Sequence, residues 1–159
     1  MICACTLQAT ATGKQPRLTD DELMTLVQKQ TFRYFWDFAH PESGLARERS
    51  NDRLEIATIG GSGFGVMAII VGVERGFITR EQGAERLLKI VEFLNKADSY
   101  HGIWAHWMDG ATGKTIPFSR KDDGADLVES AFMFEGLLAA HQYFTHDNPT
   151  ENRIRGLIN

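Results

Sequence analysis

The chain has 159 residues, 43% of them hydrophobic and 24% charged, and a formal net charge of −4. It is long and apolar enough for one domain with a core, which excludes disorder by composition. A small negative charge with no run of like charges also excludes nucleic acid, or an anionic membrane surface, as the main partner.

The cysteines, Cys3 and Cys5, both lie at the start, so nothing in the body can form a disulfide or a thiolate metal site. Ile2-Cys3-Ala4-Cys5 has the small-residue-then-cysteine form that ends a bacterial lipoprotein signal, without the apolar segment that precedes one. We expect residues 1–17 to be a shortened signal with a lipid anchor at Cys5 and a flexible tether; a chance match is the alternative. That expectation places the protein in the bacterial cell envelope, periplasmic or anchored, with no other membrane contact.

A first helix is predicted over residues 19–38. Thr19 and Glu22 have the spacing of a capping box, and Leu23, Leu26, Val27, Tyr34 and Phe38 form an apolar face that ends before Pro41. A second is predicted over 63–75. Residues 64–73 carry no polar side chain, so every face should be buried, and Gly76 ends the helix. The uncharged stretch 56–73 around it is barely long enough for a membrane span, and its glycine-rich first half argues against one. A third helix, 79–96, repeats the capping box with Thr79 and Gln82. Its stripe of Ala84, Leu87, Leu88, Val91 and Leu94 lies away from Glu81, Glu85, Lys89 and Glu92, as in a half-exposed helix. A fourth, 123–144, is almost wholly apolar from Leu127 onward, and Pro149-Thr150 opens a fifth.

Half-exposed and buried helices therefore alternate. That order suits a toroid of helical hairpins better than a plain four-helix bundle, whose helices would be similarly amphipathic. No fixed-period repeat is visible. Two connections, 39–62 and 97–122, are long. The second is predicted to hold a β-hairpin with arms 103–108 and 115–118 around a turn at 109–113. Both arrive at the N-terminal ends of the buried helices, where a site could be rimmed by loops.

Asp122, Asp126 and Glu129 fall at i, i+4 and i+7, on one helical face. Asp122 or Asp123 could simply cap the helix, Asp126 could complement its dipole, and Glu129 could have a structural partner. Alternatively Glu129, set beside Val128, Ala131 and Phe132, is an unpaired carboxyl inclined to hold a proton, as a general acid does. Residues 101–107 crowd His101, Trp104, His106 and Trp107 into one loop. Flat aromatic faces suit the C–H faces of sugars, although both tryptophans could instead plug the core. A zinc site from His101 and His106 has no other support. The glycine-rich turn Gly60-Gly61-Ser62-Gly63-Phe64-Gly65 could offer backbone N–H groups to an anion or polar ligand, or permit close helix packing. Arg47, Arg49 and Arg53 could pair with the acids, hold substrate, or be solvated. No cofactor motif is found: the glycine spacing is not that of a dinucleotide site, and Gly113-Lys114-Thr115 has Met108 where a P-loop needs glycine. Asp122-Asp123-Gly124-Ala125-Asp126 does read DDxxD, the diphosphate-binding motif of isoprenoid synthases, without a second metal motif.

Three segments carry a family resemblance: "TIGGSGFGVMAIIVGVERGFITREQGAERLLKIVEFL", "GIWAHWMDGATGKTIPFS" and "DDGADLVESAFMFEGLLAAHQYF". From Leu18 onward the chain resembles the bacterial glycoamylase-like domain, a family that includes endo-β-1,2-glucanases. The resemblance implies an all-α fold, the amino-terminal portion of an (α/α)6 barrel over residues 18–159, with the rest of the barrel beyond the end of this chain. It implies a glycoside hydrolase acting on β-1,2-glucan or a related β-glucan by an inverting carboxylate mechanism, with no metal and no cofactor. By motif position it implies Asp122, Asp126 and Glu129 as the acidic group. Trp104, His106, Trp107 and Ser62 would border the cleft, and Arg47 is a further candidate for substrate. A non-catalytic glycan-binding protein of the same fold is the alternative. The chain by itself is expected to be inactive and prone to aggregate, because the apolar faces of its second and fourth helices have too few neighbours.

Overall fold

The computed structural model describes residues 17–50 and 53–159. The expectations for Cys5 and the tether lie outside the described residues.

Five helices carry an all-α fold: α1 (Asp20–Trp36), α2 (Ile59–Glu74), α3 (Arg80–Leu94), α4 (Leu127–Tyr143) and α5 (Pro149–Ile158). α1 and α3 start at complete capping boxes, in which Thr19 and Thr79 exchange hydrogen bonds with Glu22 and Gln82. After α2 the chain turns at Gly76 with φ +66°, a conformation that glycine adopts without strain. α5 opens with Pro149 in its first turn, where a missing N–H costs nothing, and Asn148 accepts the N–H of Glu151.

Two helices start elsewhere than expected. α2 begins at Ile59, so Gly60 and Gly61 lie in its first turn and not in a preceding loop. α4 begins only at Leu127, with Asp126 as its N-cap. Residues 119–126 are held off the helix by other bonds. Phe118 and Ser119 both donate to the Asp122 carbonyl, and the Asp126 N–H donates to the Trp104 carbonyl at 2.8 Å. Asp122, Asp126 and Glu129 therefore do not share a helical face. Asp122 sits on a loop, Asp126 at the helix entrance and Glu129 in the first turn.

Glycine sets the closest helix contacts. A Cβ at Gly63 would lie 2.2 Å from the Phe132 carbonyl oxygen, and one at Gly136 would lie 2.6 Å from that of Gly63. The glycines thus let α2 and α4 meet backbone to backbone. On another side of α2, Phe32 of α1 lies where a side chain at Gly72 would be. α3 approaches α2 at Gly83 and carries α5 on its own outer side. The core among them is built from Val66, Ile69, Leu87, Val91, Met133, Leu137, Phe144 and Ile154.

Not every face of α2 is buried, contrary to the expectation from its apolar run. Phe64, Met67 and Val71 of α2 are exposed, as are Leu127, Val128, Phe132, Phe134 and Leu138 of α4. An apolar sequence states that a face avoids water, but only neighbours bury it. Among the described residues no helix is long and apolar enough to cross a membrane.

The described residues also form five short strands: β1 (Ile56–Thr58), β2 (Ser99–Tyr100), β3 (Ile103–Trp104), β4 (Trp107–Asp109) and β5 (Thr115–Ile116). The segment predicted as one hairpin arm divides. β3 folds back on β2 through His101-Gly102, both at positive φ, while β4 pairs with β5. β4 also pairs with β1, a strand not foreseen in the first long loop. That pairing joins the two long connections at the N-terminal end of α2, where the Ile59 N–H donates to the His106 carbonyl at 3.2 Å.

Gly63→Ala is expected to lower stability by about 1–3 kcal/mol or more, because its nearest neighbour is backbone and cannot rotate away. Gly156→Ala, in α5 with open space around it, should raise stability by up to about 1 kcal/mol. Denaturant unfolding midpoints check both.

A second prediction concerns α5. Burial alone would raise the Glu151 carboxyl. Arg80 at 2.8 Å, the His146 N–H at 2.8 Å and Asn148 outweigh it and bring the pKa from 4.5 to about 2. A folded-state pKa below the unfolded value gives stability that is complete above pH 4.5 and lost as pH falls towards 2. The amount is roughly 3 kcal/mol. Unfolding measured across that window should show the loss, and Glu151→Gln should flatten it.

Candidate functional site

At the joined loops, three segments bring an imidazole among carboxylates. His106, just ahead of β4, points its Nδ1 at Asp126 Oδ2 at 3.2 Å. Asp122 Oδ2 lies 4.0 Å from the same nitrogen, and Glu129 Oε1 lies 4.0 Å from Nε2. Phe118 lies flat on the imidazole, with ring centroids 4.2 Å apart and planes 18° apart. The four polar side chains are between 18% and 35% exposed, so the cluster is open to solvent while its members stay ordered by their neighbours.

Each carboxylate is placed by local chain chemistry. Asp126 divides its two oxygens: Oδ1 accepts the Val128 and Glu129 N–H groups at 2.9 and 3.0 Å, capping α4, and Oδ2 faces His106. Glu129 reaches across to the start of α2. Its Oε2 accepts the Gly60 N–H at 2.9 Å and lies 3.5 Å from the Thr58 hydroxyl. The glycine-rich turn does present N–H groups to an anion, and the anion is the chain's own Glu129. Of the two readings of Glu129, the structure agrees with the one that gives it a structural partner, since the carboxylate has a backbone donor and sits at the positive end of a helix dipole. Asp122 is positioned by the tight turn in which its N–H donates to the Ser119 carbonyl at 3.0 Å.

Several expected site residues are committed elsewhere. Ser62 is 2% exposed. Its hydroxyl donates to the Thr58 carbonyl at 2.6 Å and accepts the Ala46 N–H at 2.9 Å, so it splices the first loop to α2 and has no face for substrate. Arg47 donates to the carbonyls of Phe38 and Leu54, and its guanidinium lies over the Phe38 ring. It clamps its own loop and does not extend to the acids. Arg49 pairs with Glu48. The Trp104 indole packs on Phe134 and borders an apolar cleft of about 400 Å³ shared with Leu94, Leu138 and Leu157, which none of the three carboxylates lines. What Trp104 gives the site is backbone, through its carbonyl bond to Asp126. Trp107 is 8% exposed and stands edge-on to His106 and Phe118, behind the cluster. Its buried Nε1 has no partner among the described residues. His101 lies at the exposed tip of the β2–β3 hairpin.

Sequence reasoning missed Phe118 and Thr58. Thr58 stands immediately before the glycine turn and would have followed from recognising β1. Phe118 gave no local signal, because only the fold of the loop lays it on His106. Ligand atoms of His106, Asp122 and Asp126 lie within 4.8 Å of one another, a grouping of the kind that could admit a cation. The 3.2 Å ion-pair contact between His106 and Asp126 already brings these two together.

No family model matches the sequence. The exo β-1,2-glucooligosaccharide sophorohydrolase (non-reducing end) of Parabacteroides distasonis is 54% identical over 142 residues, which is 89% of this chain and 20% of that protein. A Bacteroides uniformis protein provisionally named a glucoamylase is 84% identical, with a TM-score of 0.89 over 91% of this chain and 36% of its own. The endo-β-1,2-glucanase of Chitinophaga pinensis, solved with sophorotriose and glucose, is 52% identical, with a TM-score of 0.85 over 89% of this chain and 36% of its own. The chain thus spans between a fifth and about a third of the length of these relatives.

Asp126→Ala should cost about 1 kcal/mol of stability by uncapping α4, whereas Asp126→Asn keeps an oxygen acceptor and should cost much less. Glu129→Ala should cost about 1–3 kcal/mol by leaving the Gly60 N–H without its acceptor, and Glu129→Gln less. Chemical unfolding of the four variants checks this pattern.

Proposed function

We propose, from the kinship of this chain with glycoamylase-like β-1,2-glucanases, that the protein is a glycoside hydrolase acting on β-1,2-glucan or a related β-glucan. The observation that carries the reading is the cluster of Asp122, Asp126 and Glu129 around His106, set at the N-terminal ends of α2 and α4. Hydrolysis of a glycosidic bond needs carboxyl groups held in fixed positions at the edge of a cleft. The substrate partner is an oligo- or polysaccharide. Phe118, 46% exposed beside the acids, offers it an apolar edge.

The exposed apolar faces of α2 and α4 fit inner helices of an (α/α)6 barrel, packed against further helices of the same domain. An inverting pair of carboxyls stands about 6.5–9.5 Å apart to admit a water. Asp122 and Asp126 place oxygens within 4.8 Å of each other, too close for such a pair. We propose that one member of the pair comes from another part of the protein. We place the protein in the bacterial cell envelope, held by a lipid at Cys5.

A non-catalytic glycan-binding protein is the second reading, favoured by the tie of Glu129 to Gly60, a structural role that needs no chemistry. The DDxxD reading is not supported by the geometry. Asp122 and Asp123 precede α4, and one oxygen of Asp126 is spent on the cap, so the aspartates do not line a helix face.

Incubating β-1,2-glucan with this chain, and with the chain extended to the length of its relatives, tests the proposal. Short oligosaccharides released by the extended protein support it; none from β-1,2-glucan or a wider β-glucan panel rejects it. Glu129→Gln should keep glycan binding and lower turnover at least tenfold in the enzyme, while unchanged turnover would remove Glu129 from the reaction.

A further inference from the structure

Asp126 and Glu129 each spend one oxygen on backbone N–H groups, and the other oxygen of Asp126 lies 3.2 Å from His106 Nδ1 in an ion-pair contact. Among the described residues, no hydrogen bond uses Glu129 Oε1 or His106 Nε2. These two atoms face each other at 4.0 Å, too far for a direct bond. A single oxygen beside the line between them can still sit within about 2.8 Å of both. Phe118 covers one face of the imidazole, and Asp126 Oδ2 stands 3.2 Å from its other nitrogen.

The tautomer follows from the partner. An ionised carboxylate only accepts, so the neutral imidazole facing Asp126 carries its proton on Nδ1 and leaves Nε2 as an acceptor. Glu129 Oε1 is also an acceptor. A position between two acceptors selects a group with two protons to give. A sugar hydroxyl has one, and water has two, with its lone pairs then turned outward. The other side chains around the imidazole are Asp122, which carries a charge but lies on the Nδ1 side, and apolar Phe118 and Trp107.

We infer that His106 and Glu129 jointly seat the water that attacks the glycosidic carbon, with Asp126 fixing the imidazole as a hydrogen-bond acceptor. The inference rests on the hydrolase reading above and gives His106 a part in the reaction, not in holding the sugar. In the step, the water oxygen bonds to the anomeric carbon and gives one proton to Glu129. The glycosidic C–O bond breaks, and its oxygen takes a proton from a carboxylic acid elsewhere in the protein.

Two substitutions separate the two ends of the ring. His106→Asn retains a polar group near Nδ1 and loses Nε2, whereas His106→Gln places an amide near Nε2. In the full-length protein, His106→Asn should lower kcat by about 10²–10⁴-fold with little change in KM, and His106→Gln should lose less. ¹⁵N NMR of the wild type should show neutral His106 protonated on Nδ1. An Nε2–H tautomer would overturn the inference, and so would a His106→Asn enzyme of undiminished kcat or one impaired only in KM. An inactive wild type would instead reject the hydrolase reading and this inference with it, and the NMR measurement still judges the imidazole geometry independently of turnover and of how the variants fold.

Discussion

Glu129 crosses from the first turn of α4 to the first turn of α2, where the Gly60 N–H meets its carboxylate at 2.9 Å over a separation of 69 residues. A helix start leaves N–H groups without partners, and a partly buried carboxylate on an apolar helix needs hydrogen-bond donors. Each resolves the other. The contact is so close that a Cβ at Gly60 would sit 2.3 Å from Glu129 Oε2, so a side chain there would displace the carboxylate. One turn on, glycine is a requirement, because Gly63 and Gly136 bring the two backbones together. The relative placement of α2 and α4 depends on this seam, and the site lies at its end.

The loops inherit their positions from that seam. Once α2 starts at Ile59, β1 must run directly into it, and β4 pairs alongside, delivering His106 over the entrance of α4. Asp126 then has two duties that share one carboxylate, capping α4 and orienting the imidazole. Structural and chemical roles are thus fused in the same side chains. A loss of activity on changing Asp126 or Glu129 carries meaning only beside a measured stability.

The opposite end of the molecule follows a different rule. Arg80 and Glu151 form a nearly buried pair whose remaining hydrogen-bonding capacity is met by the Tyr143 carbonyl, the His146 N–H and Asn148. Complete satisfaction is what makes such a pair tolerable out of water. It locks α5 against α3 without taking part in the acidic cluster. The outward faces of α2 and α4 remain apolar and exposed, the surface expected of helices meant for further packing.

What the sequence determined by itself is what depends on neighbours in the chain. Both capping boxes, the stop at Gly76, the start at Pro149, the all-α class and the grouping of acids with an aromatic-histidine loop are signals spread over a few residues, and they could be read directly. The tertiary structure decided what depends on partners far along the chain. β1 has only three residues and exists because β4 lies beside it. α4 starts at Leu127 because the Trp104 carbonyl holds the Asp126 N–H, so the regular spacing of the three acids was not a helical face. Ser62 and Arg47 have the chemistry of binding residues, but distant carbonyl and N–H groups claimed them. A polar side chain states what it can bond to; only the fold supplies the partner.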